Sequence, residues 1–253
     1  MKISLCTMMD DNFMVAFRAF FKSFIYHNKG FLYSGYHFVI IDVGLSDESK
    51  REIREYYNLV IFRKPKLLNY VDVNMDITVS KLKNTYYTLD LFSYTDYDRI
   101  VFLDMDMIIF DDISELFKCN APIAGVKCYD SKRDRLTEAI NAGVFVVNKP
   151  YLNESTYQNL IEIIKDGYQM PEQKTMNIYF KGILEFFNKS YNVEKRMLHT
   201  QKYKHILRNM KILHFVSKKP WELNVNFPER EYTYGVLENL WHYWNNKKWS
   251  ECL

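Results

Sequence analysis

The sequence predicts an α/β protein with a mostly parallel central sheet flanked by helices, formed as a single domain. In the first half, short apolar runs typical of buried strands alternate with longer helix-like segments, and this alternation indicates a parallel sheet. A length of 253 residues suits one continuous α/β core. Glycine and proline number only 8 and 6, which excludes a loop-dominated chain.

The first half begins with a predicted strand, turn and helix. The strand covers Lys2–Thr7, the aromatic-rich helix covers Phe13–His27, and the turn Asp10–Asn12 between them is a candidate helix cap. Because open α/β sheets bind ligands at the carboxyl ends of their strands, we expect the functional site at that edge. The next predicted elements are a strand at His37–Val43, a helix after Ser46, a strand at Leu59–Arg63, a helix from about Thr78 to Tyr94 and a strand at Arg99–Leu103.

The second half has a different succession of predicted elements. Pro171 suits the first turn of a helix. No internal repeat or linker-like boundary interrupts the chain, so the domain is expected to span residues 1–253. The elements are strands at Ile123–Lys127, Gly143–Val147 and Lys211–Val216, a polar loop at Tyr129–Glu138, and helices near Asn153–Lys165, Glu172–Phe180 and Tyr232–Asn246.

Charge and cysteine content exclude several classes of protein. The net charge is only +3 and no stretch forms a concentrated basic arm, so no nucleic-acid partner is expected. The four cysteines show neither the paired spacing of a zinc site nor a disulfide framework, which favours a reducing compartment. No segment has the apolar length of a signal peptide or a membrane span, so we expect a cytoplasmic protein.

The most informative segment is RIVFLDMDMIIF at residues 99–110. The apolar run RIVFL leads directly into Asp104-Met105-Asp106, and carboxylates two positions apart on an extended chain project to the same side. Both can face one cation, and oxygen ligands favour magnesium, manganese or calcium, which can neutralise a diphosphate leaving group. An isolated Asp-x-Asp is more often a solvated turn, so the interpretation depends on the preceding strand.

Another enzyme class also places Asp-x-Asp after an apolar strand. In haloacid-dehalogenase-type phosphatases the first Asp is a nucleophile and the second an acid or base. Two features argue against that class here. The motif lies in the middle of the chain after three predicted strands, and Met107-Ile108 follow it where a small hydroxyl-bearing residue or valine is expected.

Four ordered segments resemble glycosyltransferase family 8, the retaining glycosyltransferases that include glycogenin. They cover roughly residues 2 to 221 and imply a GT-A fold with a Rossmann-like sheet. The segments are Ser80-Lys81-Leu82 followed by TDYDRIVFLDMDMIIFDDISELF, Asn141-Ala142-Gly143-Val144-Phe145, Glu172-Gln173 with Asn177, and His214-Phe215-Val216 followed by Lys219-Pro220-Trp221.

The resemblance implies a metal and a nucleotide-sugar donor. Asp104, Asp106 and His214 would coordinate Mn²⁺, with Mg²⁺ as the alternative ion, and Lys219 would bring positive charge to the diphosphate. Phe13 could stack on the base or belong to the core. The implied donor contacts also include Thr7, Met9, Asp10, Lys81, Met105, Asn141, Ala142 and Gln173.

By the same resemblance the protein would be a glycogenin-like retaining hexosyltransferase. Glucose or galactose would pass from a UDP-sugar to an unknown carbohydrate or protein acceptor. Retention needs either a carboxylate nucleophile or a same-face attack, and both stay open. Residues 1–110 would form the nucleotide-sugar half and residues 111–253 the acceptor half, and a homodimer is one option. The reacting face would include Asn141, Glu172 and Gln173, with Asp130 or Asp134 from the polar loop.

Two departures from the family pattern bear on activity. Glu172 stands where the family usually has Asp, which lengthens the carboxylate side chain by one methylene. Ser217 and Lys218 stand where a glycine is expected, and a glycine normally allows backbone to approach a phosphate. A catalytically weak protein that binds sugar nucleotides is therefore the alternative function.

Overall fold

A seven-stranded sheet forms the centre of the computed structural model, which describes residues 1–66, 77–165, 172–216, 219–222 and 235–253. Within these ranges, the side chains of residues 77–83, 199 and 222 are not described. The described strands of this sheet and of a second, smaller one are β1 (Ile3–Met9), β2 (His37–Asp42), β3 (Val60–Arg63), β4 (Arg99–Leu103), β5 (Met107–Ile109), β6 (Ile123–Asp130), β7 (Arg135–Asn148), β8 (Glu185–Phe187), β9 (Val193–Glu194) and β10 (Ile212–His214).

The order of strands in this sheet is β3-β2-β1-β4-β7-β6-β8. The first four strands are parallel, β7 is antiparallel to both β4 and β6, and β8 is parallel to β6. The prediction of a mostly parallel sheet is confirmed. β1, β4 and β7 lie side by side at its centre, so the segment after β4 opens at the carboxyl edge that the sequence predicted for the site.

Helices cover both faces of the sheet. The helices are α1 (Met14–His27), α2 (Asp47–Tyr56), α3 (Ser114–Lys118), α4 (Glu154–Lys165), α5 (Glu172–Tyr179) and α6 (Gly235–Asn246), with a long 3₁₀ run at Ile77–Ser93. Among the described residues, none of these helices has the length and apolar composition needed to cross a bilayer. Residues 232–234, predicted as part of the last helix, and Pro171 lie outside the described ranges.

The two core layers follow from alternation along the strands. In β2, Phe38 and Ile40 pack on the face covered by α1, whereas Val39 and Ile41 pack on the opposite face. Strands buried on both faces read as continuous apolar runs, as β2 and β4 do. Phenylalanines of α1 at helical spacing (Phe17, Phe20, Phe21 and Phe24) are completely buried and form the first layer.

The prediction of a polar loop at Tyr129–Glu138 is wrong. β6 extends to Asp130, β7 begins at Arg135, and Tyr129 pairs with Leu136, so most of the segment is a hairpin. Asp134 closes the turn with a φ of 46°, which Asp tolerates better than most residues. Residues 130–138 of the hairpin are exposed or half-buried, and their polar side chains obscured the strand pattern.

A second, three-stranded sheet brings the late strand β10 beside β5, which follows the Asp-Met-Asp segment. β10 pairs antiparallel with β5 and parallel with β9, and the register places His214 opposite Met107. Phe215 N donates to Asp106 O at 2.9 Å, which continues the pairing past the last strand residue. This pairing holds His214 beside the Asp-Met-Asp segment, although more than a hundred residues separate them in the chain.

Candidate metal centre and cavity

Asp104, Asp106 and His214 form a compact cluster of potential ligands. One ligand atom from each lies within 4.8 Å of the other two. His214 Nε2 is 3.2 Å from Asp106 Oδ1 and 3.6 Å from Asp104 Oδ2. Asp106 and His214 are buried, whereas Asp104 exposes 38% of its side-chain surface to the cavity described below. Two carboxylates and one imidazole suit a hard divalent cation such as Mn²⁺ or Mg²⁺.

The two carboxylates differ in electrostatic environment. Burial, reinforced by the charge of Asp106, raises the pKa of Asp104. Burial acts in the same direction on Asp106, but the neighbouring His214 and Lys219 cations outweigh it and lower the pKa of that carboxyl. Burial lowers and Asp106 raises the pKa of His214, and the net result is a raised value. Positive charge on His214 and Lys219 therefore stabilises the Asp106 carboxylate, and a bound cation would act on both carboxylates in the same direction.

Lys219 contacts this cluster directly. Its Nζ donates hydrogen bonds to Asp106 Oδ2 and, at 3.1 Å, to Phe215 O. The ammonium therefore lies beside one candidate ligand and close to the strand that carries another. Ser217 and Lys218, which replace the expected glycine, lie outside the described residues.

The cluster faces a cavity of about 370 Å³, a size within the range of small-ligand sites. Asn84 and Thr85 also line it, and sequence reasoning missed both because the resemblance drew attention to Lys81, whose side chain lies outside the description. The residues predicted from sequence that line the cavity are Met9, Asp10, Phe13, Asp104, Met105, Asp106, Asn141, His214 and Lys219.

The loop after β1 forms one wall of the cavity. Asp10 Oδ1 is buried and has no hydrogen-bond partner in the described part of the chain. Phe13 both lines the cavity and packs on the core, and its ring lies 5.8 Å from that of Trp221. Thr7, predicted as a donor contact, does not line the cavity; it is completely buried in β1, and its hydroxyl is also unpaired among the described residues.

The prediction that the Asp10–Asn12 turn caps α1 is wrong. A 3₁₀ turn at Asp11–Phe13 precedes α1, and neither N-cap makes a side-chain cap hydrogen bond. Asp11 instead accepts from Ser46 N at 2.9 Å, because the loops after β1 and β2 lie side by side. Its carboxylate thus joins the two loops at this edge of the sheet.

Asn141, in the middle of β7, contributes to another wall of the cavity, and α5 packs behind it. Gln173 Oε1 accepts from Ala142 N at 3.1 Å, so Gln173 and Ala142 lie behind Asn141 rather than in the cavity lining. Glu172 hydrogen-bonds Thr85, while its Oε2 is buried without a partner in the described ranges. Burial raises the pKa of Glu172.

The structure does not bring Asp130 or Asp134 to the cavity. Asp130 accepts hydrogen bonds from Lys132 N and Arg133 N at the hairpin tip, and Asp134 accepts from Tyr129 Oη. The strand pairing that replaces the predicted loop carries both carboxylates away from the cluster. Neither carboxylate therefore lines the described cavity, and their role on the reacting face stays a prediction.

Asn192 is a buried contact of the cluster that sequence reasoning missed. Its Oδ1 lies 3.0 Å from His214 Nδ1, and its Nδ2 donates to Asn141 Oδ1 at 2.9 Å. It ends a short 3₁₀ turn before β9, which is only two residues long. The one available signal was a polar residue between Tyr191 and Val193, both of buried type.

Comparisons with known proteins agree with this architecture. The family model described as "Glycosyl transferase family 8" matches residues 4–224. The uncharacterized protein R707 of Acanthamoeba polyphaga mimivirus is 26% identical over 79% of this chain and 77% of its own length. Galactinol synthase 1 of Solanum lycopersicum is 25% identical over 67% of this chain and 61% of its length. Lipopolysaccharide 1,2-glucosyltransferase of Escherichia coli K12 is 27% identical over 56% and 49%.

Two solved structures show the same fold. The glycosyltransferase GlyE of Streptococcus pneumoniae TIGR4 superposes with a TM-score of 0.74 at 20% identity, covering 99% of this chain and 63% of that one. The galactosyltransferase LgtC, in complex with donor and acceptor sugar analogs, gives 0.68 at 17% identity, covering 99% and 100%. The predicted GT-A-type α/β fold is confirmed. The chain spans less than two thirds of galactinol synthase 1 and of the GlyE chain.

Proposed function

Because the chain belongs to glycosyltransferase family 8, we propose that it transfers a hexose, glucose or galactose, from a UDP-sugar with retention of configuration. The phosphatase alternative is set aside by family membership. The observation that carries the proposal is the convergence of Asp104, Asp106 and His214 on a cavity that the loop after β1 also lines. Manganese is the proposed ion.

The donor set and its surroundings fit such a cation. Gly143 lies so close to the cluster that a Cβ there would stand 2.8 Å from Asp104 Oδ2 and 2.5 Å from His214 Cε1. Glycine, which has no Cβ, fits at this position, and it belongs to the segment at residues 141–145 that resembles the family. When bound, the ion would supply positive charge that stabilises the diphosphate as it leaves the sugar.

The chain's own residues would divide the remaining work. Lys219 would bind the diphosphate and stabilise its growing negative charge. The loop with Asp10 and Phe13 would hold the uracil and ribose, since Asp10 Oδ1 lacks another partner among the described residues. Asn141 in the cavity wall, together with Glu172 beside Thr85, would orient the sugar. Residues 1–110 would thus supply most of the nucleotide contacts, and the later half the sugar and acceptor contacts.

The test is release of UDP from a panel of UDP-sugars with and without Mn²⁺. We expect release from a UDP-hexose that depends on Mn²⁺ and is lost in Asp106→Asn. Asp111→Asn is the matched control, because Asp111 lies just beyond β5 with 62% of its side chain exposed. UDP binding by calorimetry without release from any sugar would instead favour the catalytically weak binding protein.

A further inference from the structure

A series of hydrogen-bonded groups connects a backbone amide to the candidate ligand His214. Gly143 N donates to Asn141 Oδ1 at 3.0 Å, and Asn192 Nδ2 donates to the same oxygen at 2.9 Å. Asn192 Oδ1 lies 3.0 Å from His214 Nδ1. Asn192 is completely buried, and Asn141 and His214 are nearly so, which keeps water from competing for these contacts. We call these four groups the amide relay.

The backbone amide fixes the direction of every hydrogen bond in the relay. The Gly143 N–H can only donate, so Asn141 must turn its oxygen toward it. Asn192 must then present its NH₂ group to that oxygen, which leaves its own oxygen facing His214. Since a carbonyl oxygen only accepts, His214 Nδ1 must carry a proton. Reversing either carboxamide would leave buried donors facing donors or acceptors facing acceptors.

We propose that Asn192 is a positioning residue that keeps His214 Nδ1 protonated and directs Nε2 to the cation, a role that rests on the proposed function. His214 Nε2 faces both carboxylates at 3.2 and 3.6 Å. In a metal-bound histidine, a hydrogen bond to the nitrogen that does not bind the metal fixes the orientation of the ring. The same hydrogen bond determines which nitrogen is free to bind the metal.

The same residue orients Asn141. Because Asn141 Oδ1 accepts from both Gly143 N and Asn192 Nδ2, its NH₂ group is turned away from them, and Asn141 lines the cavity. That group is therefore a donor for a sugar hydroxyl or a phosphate oxygen. Asn192 thus couples the metal side of the cavity to the sugar side.

Two substitutions of Asn192 separate this role from simple packing. Asn192→Leu keeps a similar volume but removes both hydrogen bonds. Asn192→Asp keeps an acceptor for the His214 Nδ1 proton but loses the donor to Asn141. Asn148→Leu is the matched control, because Asn148 is also buried and its amide bonds the backbone at Cys119 and Ala121.

The first measurement is Mn²⁺ affinity in the presence of UDP, followed by electron paramagnetic resonance. Asn192→Leu should weaken Mn²⁺ binding about 10- to 100-fold, whereas Asn192→Asp should stay within about threefold of wild type. Asn192→Asp should nevertheless lower UDP release by about tenfold or more, because Asn141 is no longer oriented. Asn148→Leu should cost stability without changing Mn²⁺ affinity.

Wild-type affinity in folded Asn192→Leu, or an equal loss in Asn192→Asp and Asn192→Leu, overturns the proposal. A second readout needs neither metal nor activity. In the metal-free wild-type protein, NMR should detect hydrogen-bond scalar couplings from Gly143 N and Asn192 Nδ2 to the side-chain carbonyl carbon of Asn141. Their absence overturns the relay. If the couplings are present but wild type binds no Mn²⁺, the relay stands and the proposed function fails.

Discussion

Gly143 and His214 approach so closely that there is no room for a side chain between them. A Cβ at position 143 would lie 2.5 Å from His214 Cε1 and 2.9 Å from Asn141 Oδ1. Gly143 O also accepts a hydrogen bond from Asp104 N at 2.9 Å. Gly143 is not among the glycines with positive φ, so its neighbours rather than its backbone conformation exclude a larger residue.

Gly143→Ala should therefore impair metal binding more than folding. The new methyl group must displace His214, Asp104 or Asn141, and we expect Mn²⁺ affinity to fall by about tenfold or more. The measurement is Mn²⁺ titration beside a thermal melt. Gly30→Ala is the control, because a Cβ at Gly30 meets no atom within 4 Å. Unchanged Mn²⁺ affinity in Gly143→Ala would show that the close approach does not constrain the cluster.

Lys219→Met should separate metal binding from turnover. Lys219 bonds the Asp106 carboxylate that a metal cation would also bind. In the absence of nucleotide, removing the lysine charge should therefore leave the Mn²⁺ affinity unchanged or make it tighter. Loss of the positive charge beside the diphosphate should lower UDP release by about 10²- to 10³-fold. Lys118→Met, an exposed helical lysine, is the control. Weaker Mn²⁺ binding together with normal turnover would contradict this role of Lys219.

Asp42→Asn should reduce stability in a pH-dependent way. Burial acts to raise the pKa of Asp42, but Lys50, the amides of Leu45 and Gly44, and Lys64 outweigh it and lower the value to about 2. A carboxyl with a depressed folded-state pKa stabilises the fold above its unfolded pKa of about 4, and this stabilisation is lost as pH falls toward 2.

We therefore expect Asp42→Asn to lower the free energy of unfolding by about 2 kcal/mol at pH 7. The difference from wild type should shrink between about pH 4 and pH 2, the window between the unfolded and folded pKa values. Urea unfolding at several pH values measures it. A difference that does not change with pH would mean that lost packing, rather than lost charge, causes the effect.

Glu172→Gln should alter sugar transfer without altering metal affinity. The Glu172 side chain hydrogen-bonds Thr85, which lines the cavity, and its Oε2 is buried without a described partner. Under the proposed function, that oxygen would accept a hydrogen bond from a sugar hydroxyl. We expect UDP release to fall by about tenfold, since a buried acceptor becomes partly a donor. Glu185→Gln on exposed strand β8 is the control. Equal activity of wild type and Glu172→Gln would remove Glu172 from the sugar site.

Local patterns in the sequence predicted the parallel strands and the Asp-Met-Asp segment well. Buried runs such as RIVFL have a clear apolar signature, and ordered family segments supplied His214 and Lys219. The sequence did not predict strands as short as β8 and β9, because two or three residues do not show a period. Nor did it separate the polar hairpin at Tyr129–Glu138 from a loop.

The contacts around the cluster depend on long-range pairing, which one sequence does not reveal. Asn192 reaches His214 only because β9 and β10 lie side by side, and it lies outside every recognisable motif. Asp130 and Asp134 looked suitable by residue type and position, but the register of β6 and β7 carries them to the hairpin tip. Residue type indicated the chemistry, whereas strand register decided which residues share the cavity.

The most direct test of the central claim is anomalous diffraction at the manganese edge from crystals grown with Mn²⁺ and UDP. We predict one manganese peak per chain, within bonding distance of Asp104, Asp106 and His214 Nε2, with the UDP diphosphate beside it. A manganese peak bound elsewhere, or UDP bound with no metal at this cluster, would contradict the account.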